Sequence, residues 1–142
     1  MNLKAISRIS VEEGFSLLEL LMVLAIVSSL AALAYPMYAQ YAVKARRLEA
    51  RLTLLEIANR IEQTAIENNT HYIALSLAQL GHASQTEKGW YQLTLDEIDT
   101  HSYLVSATPR FQDPVCEKLS INHLGEKLSQ GTGTAADCWG EN

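Results

Sequence analysis

The sequence predicts an α+β protein: one long N-terminal helix, apolar in its first half and amphipathic in its second, packed on a small antiparallel β-sheet. Three observations carry this. Residues 15–34 form a twenty-residue, predominantly apolar run whose one charge is Glu19. From Lys44 to Asn68, polar residues recur at threes and fours. Beyond residue 89 the period changes to alternation, the mark of half-buried strands.

The apolar run comes first. At 1.5 Å per residue it spans about 30 Å, the thickness of a bilayer's hydrocarbon core. A carboxylate within it costs roughly 2.5–3.5 kcal/mol on insertion scales, so Glu19 needs a partner or a purpose. Residues 1–14 are mostly polar, with Lys4, Arg8, Glu12 and Glu13. An ordinary secretory signal is cut after its apolar stretch; here a Gly14-Phe15 junction precedes it. Charge does not orient the segment, because Lys4 and Arg8 on one side are matched by Lys44, Arg46 and Arg47 beyond the other.

The helix should continue past the membrane. Pro36 removes one backbone hydrogen bond and should kink it. Tyr35, Tyr38 and Tyr41 follow at threes, suited to an interfacial belt or to packing between subunits. Glu49, Thr53, Glu56, Arg60, Gln63 and Glu67 define one polar face, with Glu56 and Arg60 spaced as an i,i+4 pair. Ala50, Leu54, Ile57, Ala58, Ile61 and Ala65 form the opposite stripe, flanked by Leu48, Leu52, Leu55 and Ile66. A stripe this broad calls for a cover, most simply a sheet. Asn68-Asn69 should end the helix.

After a loop over residues 69–89, strands are expected at Tyr91–Leu95, Tyr103–Ala107 and Lys118–Asn122, with a short edge strand at Glu126–Leu128. Short sequential strands favour an antiparallel meander.

Length and charge set bounds. The chain has 142 residues, enough for one small domain plus a long helix. Its net charge is −5, from 11 basic and 16 acidic residues, and gives no support for bulk nucleic-acid affinity.

The stretch Gly14-Phe15-Ser16-Leu17-Leu18-Glu19 resembles the processing site of type IV prepilins. A plain single-pass anchor with an incidental Glu is the alternative, and the joint spacing of Gly, Phe and Glu argues against it. The resemblance implies cleavage after Gly14 by an inner-membrane prepilin peptidase and methylation of the new amino terminus, Phe15. It also implies pairing of Glu19 with a neighbouring subunit's terminal amine, each costly group offsetting the other and fixing axial register. One departure is plain: the family usually carries Lys or Arg directly before the Gly, and this chain carries Glu12-Glu13.

Further along, Ala34-Tyr35-Pro36, Arg46-Arg47, Glu67-Asn68-Asn69-Thr70, Ala107-Thr108-Pro109, Gln112, Asp113, Cys116, Leu119, Asn122, Gly125, Lys127 and Cys138-Trp139 resemble PilE-type minor pilins of type IVa pili. The resemblance covers the chain apart from residues 71–101. It implies the type IV pilin fold in four parts: leader 1–14, transmembrane or filament-core helix 15–38, amphipathic half 39–68, and head 69–142. The head would lie outside the cytoplasm, the chain passing from the inner membrane to the extracellular pilus. With the head so placed, a single Cys116–Cys138 disulfide is the natural reading, worth roughly 3 kcal/mol on the chain-entropy model. Two free buried cysteines are the alternative. The segment Gly131-Thr132-Gly133-Thr134 between them has little else to hold it in place.

Other residues carry less. His71, His82, His101 and His123 read as surface loop residues, from which no metal ligand set can be built. Asp96, Glu97 and Asp99 fit no EF-hand loop and read as a solvated turn. Gly131 to Thr134 is not a phosphate loop, and Asn68-Asn69-Thr70, although a glycosylation triplet, reads as a helix stop. No nucleophile motif is present, and neither an enzyme nor a cofactor is expected. Lys44, Arg46, Arg47 and Arg51 form the one basic cluster, expected at the membrane boundary or against acidic groups of neighbouring subunits, without interleaved aromatics.

The expectation is therefore a minor pilin, with Phe15, Glu19 and Pro36 serving assembly. Its partners would be other pilin subunits in a helical filament, the prepilin peptidase, the inner-membrane assembly machinery, and membrane lipid beforehand. Motility, adhesion and DNA uptake belong to the whole fibre. Three alternatives stand: the major pilin of the fibre, a type II secretion pseudopilin, and a DNA-uptake receptor pilin. The terminal Cys138-Trp139 argues against the second. Lys118 and Lys127 abut Glu117 and Glu126, which argues against nucleic acid as a direct ligand.

Overall fold

A computed structural model of the chain describes residues 14–67, 72 and 75–140. Two compact units are present, Met1–Ala39 and Gln40–Asn142. Helix α1 runs from Leu17 to Glu67, and the strands are β1 (Tyr91–Asp99), β2 (Ser102–Pro109), β3 (Lys118–Asn122) and β4 (Lys127–Gln130). A short helix, α2 (Ala135–Trp139), closes the described chain. The strands pair in the order β1-β2-β3-β4, every neighbour antiparallel, giving the expected α+β meander.

In the first unit α1 is unbroken through Pro36. Its large apolar side chains from Phe15 to Leu33 are 51–87 % exposed. The two serines in this stretch satisfy their own hydroxyls, Ser28 donating to Leu24 O at 2.6 Å and Ser29 to Ala25 O at 2.8 Å. That is how a polar side chain is tolerated where water is absent. Length and composition suffice to cross a membrane.

In the second unit α1 buries Ala50, Leu54, Ile57, Ala58, Ile61 and Ala65, the stripe expected from periodicity. Against it stand Tyr91 and Leu93 of β1, Tyr103, Val105 and Ala107 of β2, and Leu119 and Ile121 of β3. Register explains the match. Leu93 pairs with Ala107, Ala107 with Leu119, and Val105 with Ile121, so odd-numbered residues of three strands share one face. Burying each of Leu54, Ile57 and Ile61 contributes about 1.5–3 kcal/mol. The flanking residues Leu48, Leu52 and Ile66 stay exposed, because a flat sheet covers only one side of a helix.

Several expectations need correction. The acidic run is not a turn: Asp96 pairs with Leu104 and Glu97 with Tyr103 inside β1, and the ladder slips only between Glu97 and Asp99. Asp96 stands on the exposed face of β1, where a hairpin accepts charge as readily as a turn does. The edge strand begins at Lys127 and reaches Gln130. Segment 84–86 lies along β1, with Leu93 N–H donating to Ser84 O at 2.8 Å and Thr86 N–H to Tyr91 O at 3.0 Å. The Gly131–Thr134 segment has anchors besides the cysteines, since Thr132 N–H donates to Pro114 O and Gly133 N–H to Val115 O, both at 2.9 Å. Asn68, Asn69 and His71, like residues 1–13, lie outside the described residues.

Helix α2 has no apolar period long enough to notice, but its ends are written in the sequence. Thr134 and Asp137 form a reciprocal capping box, and Gly140 closes the helix in the left-handed region at φ 71°. The Thr134 hydroxyl and amide hold the exposed Asp137 carboxyl below its ordinary range.

Candidate functional site

Gly14, Phe15 and Ser16 precede the helix, and Glu19 stands in its first turn. A carboxylate there faces unsatisfied backbone N–H groups and is favoured by the helix dipole. Among the described residues no cation lies within ion-pair distance of Glu19.

The basic cluster of α1 is divided among three environments. Arg47 is 9 % exposed, its Nη2 2.6 Å from Asp113 Oδ1 and its Nε 2.8 Å from Oδ2. The Asp113 hydrogen bonds raise the Arg47 pKa further above its ordinary value, against desolvation. One turn on, Arg51 Nη1 donates to Trp139 O at 2.5 Å. Arg46 takes a third course, its guanidinium carbon 4.0 Å from the Trp90 ring centroid and 4.8 Å from that of Phe111. The two rings meet edge to face at 6.3 Å. Aromatic interleaving, absent from the local sequence, is thus supplied by residues more than forty positions away.

Around these two rings, Arg110 N–H donates to Trp90 O and Arg110 Nη1 to Gln85 Oε1, both at 2.8 Å. Lys88 N–H donates to Glu49 Oε1 at 3.1 Å. Arg110, Lys88 and Gln85 are exposed, while Arg46, Trp90 and Phe111 are half-buried.

Cys116 and Cys138 are joined in a disulfide and wholly buried. Asp113 Oδ1 also accepts the Cys116 N–H at 3.2 Å. Arg47 therefore secures the approach to one cysteine, and Arg51 the residue after the other. The sequence alone puts both arginines at the membrane boundary or against acidic groups of neighbouring subunits. The signal it lacked was the pairing with Asp113, which no local spacing encodes.

His101 is exposed as expected, but His82 and His123 are less so. His82, with a 13 % exposed side chain, lies 3.8 Å from Glu56, and a ring nitrogen of His123 is buried. No three His, Cys, Asp or Glu side chains among the described residues are grouped to hold a metal.

Two family models match the chain. Residues 9–35 match the prokaryotic N-terminal methylation motif. Residues 36–120 match the family described as "Type IV minor pilin ComP, DNA uptake sequence receptor". The chain belongs to the ComP family of type IV minor pilins. No curated protein matches it. The ComP match covers the amphipathic half of α1, β1, β2 and the first residues of β3, and stops before β4, α2 and Cys138. In this minor pilin, the methylation motif and the exposed apolar helix fit membrane anchoring before assembly with other pilins.

Proposed function

We propose that this minor pilin is cleaved after Gly14, methylated at Phe15, and held in the inner membrane by residues 15–38 with its head outside the cytoplasm. It is then drawn into a helical filament as a structural subunit with no catalytic part. Glu19 pairs there with the terminal amine of a neighbour and sets the axial register. The observation that carries this is an exposed apolar helix whose single carboxylate has no cation partner among the described residues. A carboxylate and an ammonium, each costly in an apolar bundle, are tolerated together.

A second role is favoured by one observation: the family's description names a DNA uptake sequence receptor. In this reading the head binds DNA within the fibre. It runs against the expectation drawn from the neutral surroundings of Lys118 and Lys127, and places the DNA-binding residues elsewhere on the head.

Quantitative mass spectrometry of sheared surface fibres, with the N-terminal peptide included, tests the first reading. The expected result is a methylated peptide beginning at Phe15, at trace abundance beside another pilin. Absence from the fibres, with the mature form left in the membrane, would overturn it in favour of a secretion pseudopilin.

A further inference from the structure

Arg47 and Arg51 belong to the fold, yet the helix face they share with Lys44 is not closed. Lys44, Arg47 and Arg51 line a cleft of about 420 Å³ whose other walls include Val115, Asp137 and Gly140. A second cleft of about 270 Å³ adjoins it, sharing Lys44, Arg47 and Val115 and adding Gln40, Val43 and Pro114. Both carboxylates here are engaged within the protein. Asp113 holds Arg47 and the Cys116 amide, and Asp137 accepts from the Thr134 amide and hydroxyl. Two of the three cations are freer. Lys44 is exposed and has no hydrogen bond or ion pair among the described residues. Arg51 donates from Nε to Arg47 O at 3.3 Å and from Nη1 to Trp139 O at 2.5 Å, both neutral carbonyls, and its Nη2 has no partner among the described residues. The surplus charge of the clefts therefore lies on Lys44 and Arg51.

We infer that these adjoining clefts hold an anionic phospholipid, its phosphate between Lys44 and Arg51 and the top of its acyl chains along Val43, Pro114 and Val115; this rests on the membrane-anchoring reading above. Gln40 and Val43, at the apolar end, come directly after the proposed span 15–38. Cations just beyond a span meet the phosphates of the membrane surface. A long side chain on a helix leans toward the preceding turn. The Arg51 bond to Arg47 O shows that lean, which brings its guanidinium back toward Lys44. An ammonium and a guanidinium together suit the two free oxygens of a phosphate diester. A zwitterionic headgroup would bring its own cation against Lys44 and Arg51, so the site selects an anionic lipid. The clefts are concave and partly apolar, the form that takes a small amphiphile. A duplex backbone has no apolar part to cover Val43, Pro114 and Val115, which favours lipid over nucleic acid.

The test is native mass spectrometry of the detergent-solubilised full chain, offered phosphatidylglycerol or phosphatidylcholine of the same acyl length. The wild type is compared with Lys44→Gln, with Lys44→Gln/Arg51→Gln, and with Lys118→Gln on β3, each checked for an intact fold by circular dichroism. The wild type is expected to retain phosphatidylglycerol roughly fivefold or more over phosphatidylcholine, as a site that discriminates by headgroup charge requires. Lys44→Gln should lower that preference about twofold or more, and the double variant should abolish it. Lys118→Gln should match the wild type. Lys44→Gln decides the matter where loss of the Arg51 bonds unfolds the double variant, because the Lys44 side chain has no partner among the described residues. Equal retention of the two lipids by the wild type, or an unchanged preference in Lys44→Gln, would overturn the site. Glycerol 3-phosphate at the lipid's concentration should not displace it; displacement would make the ligand a free phosphate ester and overturn the lipid assignment. Displacement of the lipid by a DNA duplex would overturn it too. Recovery of the wild type from the soluble fraction of cells, rather than from membranes, would overturn the anchoring reading itself.

Discussion

Arg47 and Asp113 stand 66 residues apart in the chain, and both oxygens of the carboxylate are held by the guanidinium, Nε to Oδ2 at 2.8 Å and Nη2 to Oδ1 at 2.6 Å. The Asp113 side chain is 1 % exposed, so its carboxylate has no water to fall back on. The same carboxylate accepts the Cys116 amide. One buried pair thus joins α1 to the start of the disulfide loop.

Removing one partner strands the other. Arg47→Met should cost about 3–5 kcal/mol of unfolding free energy, read from urea denaturation. Arg47→Met/Asp113→Leu should cost clearly less than the sum of the single changes, since no charge remains buried. It should not be neutral, because the Cys116 amide loses its acceptor. Additive single effects would show that the pair is not coupled.

Tyr91 is wholly buried, and its hydroxyl has no hydrogen-bond partner among the described residues. Tyr91→Phe removes a desolvated group while keeping the ring against Phe111, 5.5 Å away. Thermal unfolding should show stability unchanged or raised by up to about 1 kcal/mol. A loss above about 1 kcal/mol would mean the hydroxyl is bonded.

Tyr91 and Tyr103 have pKa values pushed well above the ordinary tyrosine value, first by burial and then by the Asp113 and Glu62 charges respectively. Tyr72, which also donates to Glu62, is raised by the same two causes. The folded protein keeps these protons when the unfolded chain loses them. Their stabilisation is therefore complete below pH of about 10 and falls as pH rises further, by up to about 1.4 kcal/mol per pH unit for each tyrosine. Denaturation between pH 8 and 11 should show a flat region and then a decline, shallower in Tyr103→Phe. A decline already under way at pH 8 would contradict this.

Gly131 lies at φ 131°, and a Cβ there would stand 2.5 Å from Val115 O and 2.8 Å from its carbonyl carbon. Gly131→Ala must move backbone rather than a flexible side chain, and should cost about 2 kcal/mol. The same substitution at Gly125, also at positive φ but with open space around it, should cost less. Equal losses in the two variants would rule out the close approach to Val115 as the cause.

Glu19→Ala should leave the minor pilin cleaved and membrane-bound but poorly incorporated into fibres. Normal incorporation, quantified by mass spectrometry of sheared fibres, would remove Glu19 from the register mechanism.

Where one residue's neighbours along the chain decide its state, the sequence sufficed. A twenty-residue apolar run is long enough for a bilayer whatever follows it, and residues at threes and fours must share a helix face. Alternation near Tyr91, Tyr103 and Lys118 likewise placed three strands of the sheet. Local signs of α2 were also present, in Thr134, Asp137 and Gly140, but a helix of five residues has no period to reveal it. Tertiary structure alone decided how Arg46, Arg47 and Arg51 differ. In sequence they are one basic cluster; in the fold one lies against the rings of Trp90 and Phe111, one is buried on Asp113, and one holds Trp139 O. A charge's role depends on which groups reach it through space, and those groups arrive from segments 40 to 90 residues away, whose approach is set by packing of the common core.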